Sequence, residues 1–362
     1  MISGTTWLNA PTLRLGIATP TTPLQATKPS SRPTTMASTT PPSVRIAVVG
    51  DVHDYWNLEE DRKALQLLKP DLVLFTGDFG NENVDLVRSI ANLDMTKAVI
   101  LGNHDAWGTQ KFSAREKDRV QLQLDCLGDE HVGYGRIDFP TAKLSIVGGR
   151  PFSCGGSTLF RKKLLIARYA VGDMDESAKR IYQSALGAPE DHSVVLLAHN
   201  GPTGLGCNMN DICGRDWVFG GGDNGDPDLA EAISQLKETT KLSIPLVVFG
   251  HMHKQLAHGN ELRKMIVVGN DNTVYLNGAI VPRVKRLGNE QEMGTRSSLN
   301  NETSHRASES GGTSRAFTIA EILDGRVEKV VETWVSVIGE KTRMQEEHIM
   351  FSRVPTSYGD TL

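Results

Sequence analysis

The sequence predicts an α/β sandwich with its helices on the outside. Two observations carry that expectation. Short runs of Val, Ile and Leu recur along the chain, and helix-like patterns lie between several of them. An apolar run without polar interruption reads as a strand covered on both faces, and strand–helix alternation is the pattern of layered α/β domains.

Taken in order, strands are expected in "VRIAVVGD" from position 44, "LVLFTGD" from 72, "AVILGNHD" from 98, "LSIVGGR" from 144, "SVVLLAHN" from 193 and "PLVVFGHMH" from 245. Helical spacing of apolar residues runs from Leu58 to Leu68, Val84 to Leu93, Met174 to Leu186 and Leu229 to Leu236. Asp226 followed by Pro227 gives the last helix an N-cap and a pre-set first turn. Further on, "KMIVVG", "TVYLNGAI", "AFTIAEIL" and "VEKVVETWVSV" read as strands without helices between them. The last two flank Asp324-Gly325, a strong hairpin turn.

These elements place the main domain at residues 44–286, with a closing β-hairpin of the same domain at 316–340. The intervening residues 287–315 are polar and rich in Ser, Asn, Gly and Glu, too poor in apolar surface to fold, and read as a disordered insert. Residues 341–362 read as a flexible tail. Residues 1–43 read as a transit peptide. The first 50 positions hold no Asp or Glu, carry Arg14, Lys28, Arg32 and Arg45, and lack the apolar block of a secretory signal. Their abundance of Thr, Ser and Pro favours a chloroplast address, with mitochondrion and cytoplasm as alternatives.

A formal net charge of −4 offers no basic stripe for long nucleic acids. No apolar run reaches the roughly 18 residues of a spanning helix, so no membrane span is expected. The four cysteines, Cys126, Cys154, Cys207 and Cys213, match neither a zinc ribbon nor a disulfide scaffold. Cys207 and Cys213 lie close in sequence, which leaves a redox disulfide or two ordinary thiols open. Nothing in the sequence sets an oligomeric state.

The residues that end each apolar run are the informative ones. The first run ends in Asp51-Val52-His53, the second in Gly77-Asp78, and the third in Gly102-Asn103-His104-Asp105. The fifth ends in His199-Asn200 and the sixth in Gly250-His251-Met252-His253. Five of the ten histidines stand at these ends. Ligands of open α/β sheets bind beyond the carboxyl ends of the strands, so these side chains are expected to meet in one metal site.

In this order the motifs resemble those of the calcineurin-like metallophosphoesterase superfamily: D-x-H, then G-D, then G-N-H-[DE], then a lone His, then G-H-x-H. The resemblance covers residues 44 to 285. It implies two mixed β-sheets packed as a sandwich with helices on both outer faces, and two divalent metal ions. Carried over by position, Asp51, His53, Asp78 and His253 would hold the first metal. Asp78, Asn103, His199 and His251 would hold the second, with Asp78 as the bridge. Imidazole and carboxylate donors together suit Mn, Fe or Zn. Two metals about 3.5–4 Å apart clamp a phosphoryl group and generate hydroxide at neutral pH, which would attack phosphorus in line. The resemblance implies that His104 donates a proton to the leaving oxygen or stabilises charge there, and Asp105 is a candidate to orient it.

Two departures narrow the branch. Serine/threonine protein phosphatases of the superfamily read G-D-x-x-D-R-G at the second motif, where this chain reads "GDFGNEN". Asn81 stands in place of the Asp that pairs with the catalytic histidine. Purple acid phosphatases place a Tyr at that position. The stretches "GGRPFS" and "GDNGDPDL" resemble a branch found in oxygenic phototrophs. Arg150, beside a glycine-rich turn, is a candidate phosphate contact. Arg215, Asp216 and Trp217, in the long glycine-rich stretch 199–229, are candidate substrate contacts.

The expectation is therefore a dinuclear metal-dependent phosphoester hydrolase, foremost a phosphomonoesterase acting on a small phosphorylated substrate. The alternatives are a phosphodiesterase on nucleotides and a metal-binding module without turnover.

Overall fold

The computed structural model describes residues 43–112, 116–258, 261–287 and 312–353. The chain opens with β1 (Ser43–Val49), α1 (Leu58–Leu68), β2 (Leu72–Phe75), α2 (Val84–Ala91) and β3 (Lys97–Val99). Then come α3 (Arg119–Leu127), β4 (Arg136–Phe139), β5 (Leu144–Gly148), α4 (Lys162–Tyr169), α5 (Met174–Leu186) and β6 (Ser193–Leu197). α6 (Pro227–Thr239), β7 (Leu246–Phe249), β8 (Ile266–Val268), β9 (Val274–Asn277) and β10 (Val284–Arg286) follow. β11 (Thr313–Leu323), β12 (Arg326–Ile338) and β13 (Lys341–Ser352) complete the described elements.

Two mixed sheets result. One has the order β13-β12-β11-β1-β2-β3, with β10 also paired to β11, and the other β4-β5-β6-β7-β9-β8. β1, β2 and β3 run parallel, as do β5, β6, β7 and β9. The register explains the unbroken apolar runs. Along β1, Ile46 and Val48 join Val195, Leu197 and Val248 of the other sheet in the inter-sheet core. Ala47 and Val49 face the opposite way and join the layer packed with α1 and α2, through Leu65, Val87 and Ile90. Both faces are covered, so no polar alternation survives.

α1 and α5 match the sequence expectation end to end. Asp324 and Gly325 both hold positive φ, 49° and 70°, as a two-residue hairpin turn requires. Asp226 sits at the N-cap of α6 with Pro227 next, yet its side chain makes no capping bond. It is recruited into a buried network instead.

The tail expected at 341–362 is corrected by β13. Gly339, at φ 57°, turns the chain back, and Lys341–Ser352 hydrogen-bonds along β12 as an edge strand. Its side chains are mostly polar and exposed, so composition imitates a loose tail. The expected insert is also shorter at its far end, because Thr313 to Arg315 already belong to β11. Arg315 is buried and paired with Glu60 and Asp61 of α1. The rest of the insert from 288 to 311, the leader to residue 42 and the last residues from 354 lie outside the described residues. No helix among the described residues is long and apolar enough to cross a membrane.

Candidate metal centre

The ends of β1, β2 and β3 from one sheet and of β6 and β7 from the other bring their trailing residues together. Asp51, His53 and His253 form one group of ligand atoms, all within 4.8 Å of one another. Asp78, His199 and His251 form a second, and His53, Asp78 and His104 a third. Asn103 joins the second group through Oδ1, which lies 2.9 Å from His199 Nε2. Every residue expected to hold a metal is therefore in one cluster, and His251 and His253 fall in different groups.

Backbone shape aims these side chains. Asp51, His53, Asp78 and His251 hold φ values of 42°, 43°, 52° and 65°, in the left-handed region. Two glycines let the loops close in. A Cβ on Gly102 would lie 2.3 Å from Asp78 Oδ1, and one on Gly250 would lie 2.2 Å from Asp51 Oδ1. The glycines of "GNHD" and "GHMH" thus leave room for the carboxylates.

The donor set fits cations. Asp51 Oδ1 accepts from the His251 amide at 3.0 Å, while Oδ2 is buried without a hydrogen bond and lies 3.4 Å from His253 Nε2. His53 Nε2 and His253 Nε2 face each other at 3.0 Å. His199 Nδ1 donates to the Thr76 carbonyl at 2.7 Å, which turns Nε2 toward Asp78 Oδ1 at 3.4 Å. Buried carboxylate oxygens facing converging imidazole nitrogens are what a buried metal ligand set looks like.

The electrostatics tell the same story. Burial alone would raise the Asp78 carboxyl, but the neighbouring charges of His199, His104 and His251 hold it below its ordinary value. Burial opposes the charge on His199 too, yet Asp78 beside it lifts that imidazole to about 10. For His251 burial dominates, reinforced by the charge on His199, and pushes it down to about 4. Carboxylates that stay ionised against burial mark a site built to neutralise positive charge.

His104 stands at the rim in a short 3-10 turn, His104–Ala106. Its Nδ1 lies 2.7 Å from Asn81 Oδ1, and its ring stacks on Trp107 at 4.9 Å and 9°. Asp105 was expected to orient this imidazole, and the structure corrects that. Its buried carboxylate accepts from the amides of Asp78, Phe79 and Gly102, at 2.9, 2.9 and 2.8 Å. Asp105 ties the Asp78 turn to the Asn103 turn, while Asn81 takes the imidazole.

The two candidate arginine contacts are also corrected. Arg150 is 1% exposed, with Nη2 2.8 Å from Asp226 Oδ1 and Nε 3.0 Å from Asp228 Oδ2. It neutralises two buried carboxylates under the loop and offers nothing to a ligand. Arg215 does not line the cleft over the cluster. Its guanidinium lies beside Gly222, where a Cβ would come within 2.5 Å of Nη2. Its neighbours Asp216 and Trp217 do line that cleft. The four cysteines are free thiols, Cys207 exposed and Cys213 buried.

The cleft has a volume of about 380 Å³, and Trp107 and Arg263 line it as well. Neither was singled out in the sequence. Trp107 was discoverable, since it follows Asn103-His104 within one turn. Arg263 carried no local signal. It is buried and holds the carbonyls of His253, Met209, Asp211 and Gly214, at 2.9, 3.1, 2.8 and 2.6 Å.

A family model, calcineurin-like phosphoesterase, matches residues 44–255. No curated protein matches the chain. Among solved structures the chain is similar to a dimetal phosphatase from Danio rerio, at 10% identity and a TM-score of 0.43, over 86% of this chain and 99% of that one. It is also similar to a conserved uncharacterized protein, a predicted phosphoesterase, from Streptococcus pneumoniae. That match has 10% identity and a TM-score of 0.29, over 85% of this chain and 98% of the other. At such identities neither speaks to substrate. The family match spans all five strand ends that build the cluster, from Asp51 through His253, and the chain belongs to the calcineurin-like phosphoesterase family, as a hydrolase of phosphoester bonds.

Proposed function

We propose that this protein is a dinuclear metal-dependent phosphomonoesterase. Asp51, His53, Asp78 and His253 hold one cation, and Asp78, Asn103, His199 and His251 the other. The observation that carries this is the pairing of ligand groups across the seam between the sheets, where the buried Asp51 Oδ2 makes no hydrogen bond and faces His253 Nε2 at 3.4 Å. The mixed imidazole, carboxylate and amide donors favour manganese, iron or zinc over calcium or magnesium. When bound, the cations supply Lewis acidity and activate water for attack.

The chain's own residues do the rest. His104 carries the proton for the departing alcohol: with Nδ1–H donating to Asn81 Oδ1, the Nε2 proton is free for the leaving oxygen. A water oxygen bonds to phosphorus as the ester P–O bond breaks, and the electron pair of the broken bond leaves with the alcohol oxygen, which takes that proton; the water releases one proton to solvent, and His104 regains one from solvent. Asp105 keeps Asp78 and Asn103 in register during the step. A small ester suits the cleft better than a long polyanion. Among the described residues lining it, Arg263 is the one Lys or Arg; its Nε and Nη1 hold backbone carbonyls and its Nη2 lies 3.3 Å from Asp216 Oδ2.

The test uses the full chain loaded with Mn²⁺, assayed on an aryl phosphomonoester and on the matching diester. Monoester turnover that disappears in Asp78→Asn supports the reading. Preference for the diester would replace it with a phosphodiesterase, and metal binding without turnover would replace it with a binding module. The acid-free composition of residues 1–43 supports a chloroplast address as part of the proposal. A fluorescent reporter carrying that segment, left in the cytoplasm, would overturn it.

A further inference from the structure

Two tryptophans lie on the cleft above the ligand cluster. Trp107 is 51% exposed and Trp217 is 52% exposed, and both line the same cleft as Asp78, His104 and His253. Indoles bury large apolar areas when a fold has use for them inside. Here each is held half out in solvent beside the candidate metal centre.

Their backbones are fastened independently of any ligand. Arg161 donates to the Ala106 carbonyl at 2.6 Å and also to the Trp107 carbonyl. On the other side, Arg263 gathers the carbonyls of Met209, Asp211 and Gly214. Asp216, the residue before Trp217, accepts from the Ala257 amide at 2.6 Å. Trp217 therefore rides on a loop pinned to the segment that follows His253.

Position relative to the chemistry is the telling point. Trp107 stacks on His104, with ring planes 9° apart. His104 is the group assigned to protonate the leaving oxygen, so a ring attached to that oxygen arrives beside the indole. The remaining surroundings favour little extra negative charge, because Arg263 faces Asp216 and four backbone carbonyls.

We propose that Trp107 and Trp217 form a leaving-group subsite for an alcohol that carries a planar aromatic ring, directly or through a sugar, so that the preferred substrate is an aryl or nucleoside phosphomonoester. This rests on the hydrolase reading given above. Stacking on an exposed aromatic is worth about tenfold or more in binding.

The experiment uses the full-length, Mn²⁺-loaded protein and three esters: 1-naphthyl phosphate, a nucleoside 5′-monophosphate and butyl phosphate. Aryl esters leave more readily than alkyl esters, so the readout is the effect of a variant, not the raw rate. In Trp107→Leu and Trp217→Leu, kcat/KM for an aromatic ester should fall about tenfold further than for butyl phosphate. Trp217→Phe should keep most of the preference, which separates loss of the ring from a disturbed loop. Equilibrium binding of naphthyl phosphonate against butyl phosphonate, by calorimetry, reads the subsite without turnover.

A selective loss with naphthyl phosphate alone identifies a simple aryl group, and one that includes the nucleotide extends the class to nucleosides. Equal losses on all three esters would overturn the subsite. If no ester is hydrolysed but naphthyl phosphonate binds more tightly and loses that advantage in Trp217→Leu, the hydrolase reading fails and the subsite stands.

Discussion

Asn81 Oδ1 lies 2.7 Å from His104 Nδ1, so a neutral amide rather than a carboxylate holds the imidazole at the rim of the cluster. Asn81→Ala removes that acceptor and lets the ring turn. Losing such an outer partner typically costs about 10–100-fold in activity. The expected result is a fall of that size in kcat, with KM and metal content close to wild type. Steady-state kinetics beside metal analysis checks it, and an unchanged kcat would remove Asn81 from the mechanism.

The ligand groups meet at Asp78, whose Oδ1 and Oδ2 lie 3.4 Å from His199 Nε2 and 4.0 Å from His53 Nε2. Asp78→Asn should therefore weaken both cations, whereas His253→Ala should weaken chiefly the one shared with Asp51 and His53. Bound metal per chain after desalting distinguishes the two variants. Identical metal loss in both would argue against two separate sites.

Arg150 sits between Asp226 and Asp228 with all three side chains buried. Removing one partner of a buried ion pair typically costs about 3–5 kcal/mol, because the remaining charge is stranded. Arg150→Met should lower the denaturation midpoint by a corresponding amount, and the folded fraction should keep its KM. A raised KM at unchanged stability would return Arg150 to the role of a substrate contact.

Burial holds the His131 imidazole at about 3, well under its usual 6.5. Above pH 6.5 it is neutral in both folded and unfolded chains and contributes nothing. As pH falls from there toward 3, the unfolded chain takes a proton that the folded chain refuses, so stability drops. At about pH 5.5 the loss is about 1 kcal/mol. Thermal melts at about pH 7.5 and about pH 5.5 should show a smaller decrease in His131→Gln than in wild type.

The motifs at the strand ends were legible because the fold leaves them little choice. A parallel strand buried on both faces announces itself by composition, and its first polar residues must emerge at the carboxyl edge. Asp51, Asp78, His199 and His251 stand at those edges, and the resemblance sorts them between two metals. Asp105 and Arg150 were misread for one shared reason. Sequence shows that a side chain is polar, and not whether folding has already consumed it. Three backbone amides take Asp105, and two carboxylates take Arg150. β13 was missed because an edge strand shows most of its side chains to water and so loses the apolar pattern. Arg263 acts through carbonyls about 50 residues away in the chain, which no local window reveals.

The left-handed backbone at Asp51, His53, Asp78 and His251 has a bearing on how this protein can change. Each such residue with a Cβ strains the chain by roughly 1–3 kcal/mol, a strain glycine would relieve. A population sorted only for heat tolerance should thus drift toward glycine at these four places. It would become sturdier and lose its grip on metal at the same positions. Thermal selection on a random library, followed by sequencing, would make that conflict visible.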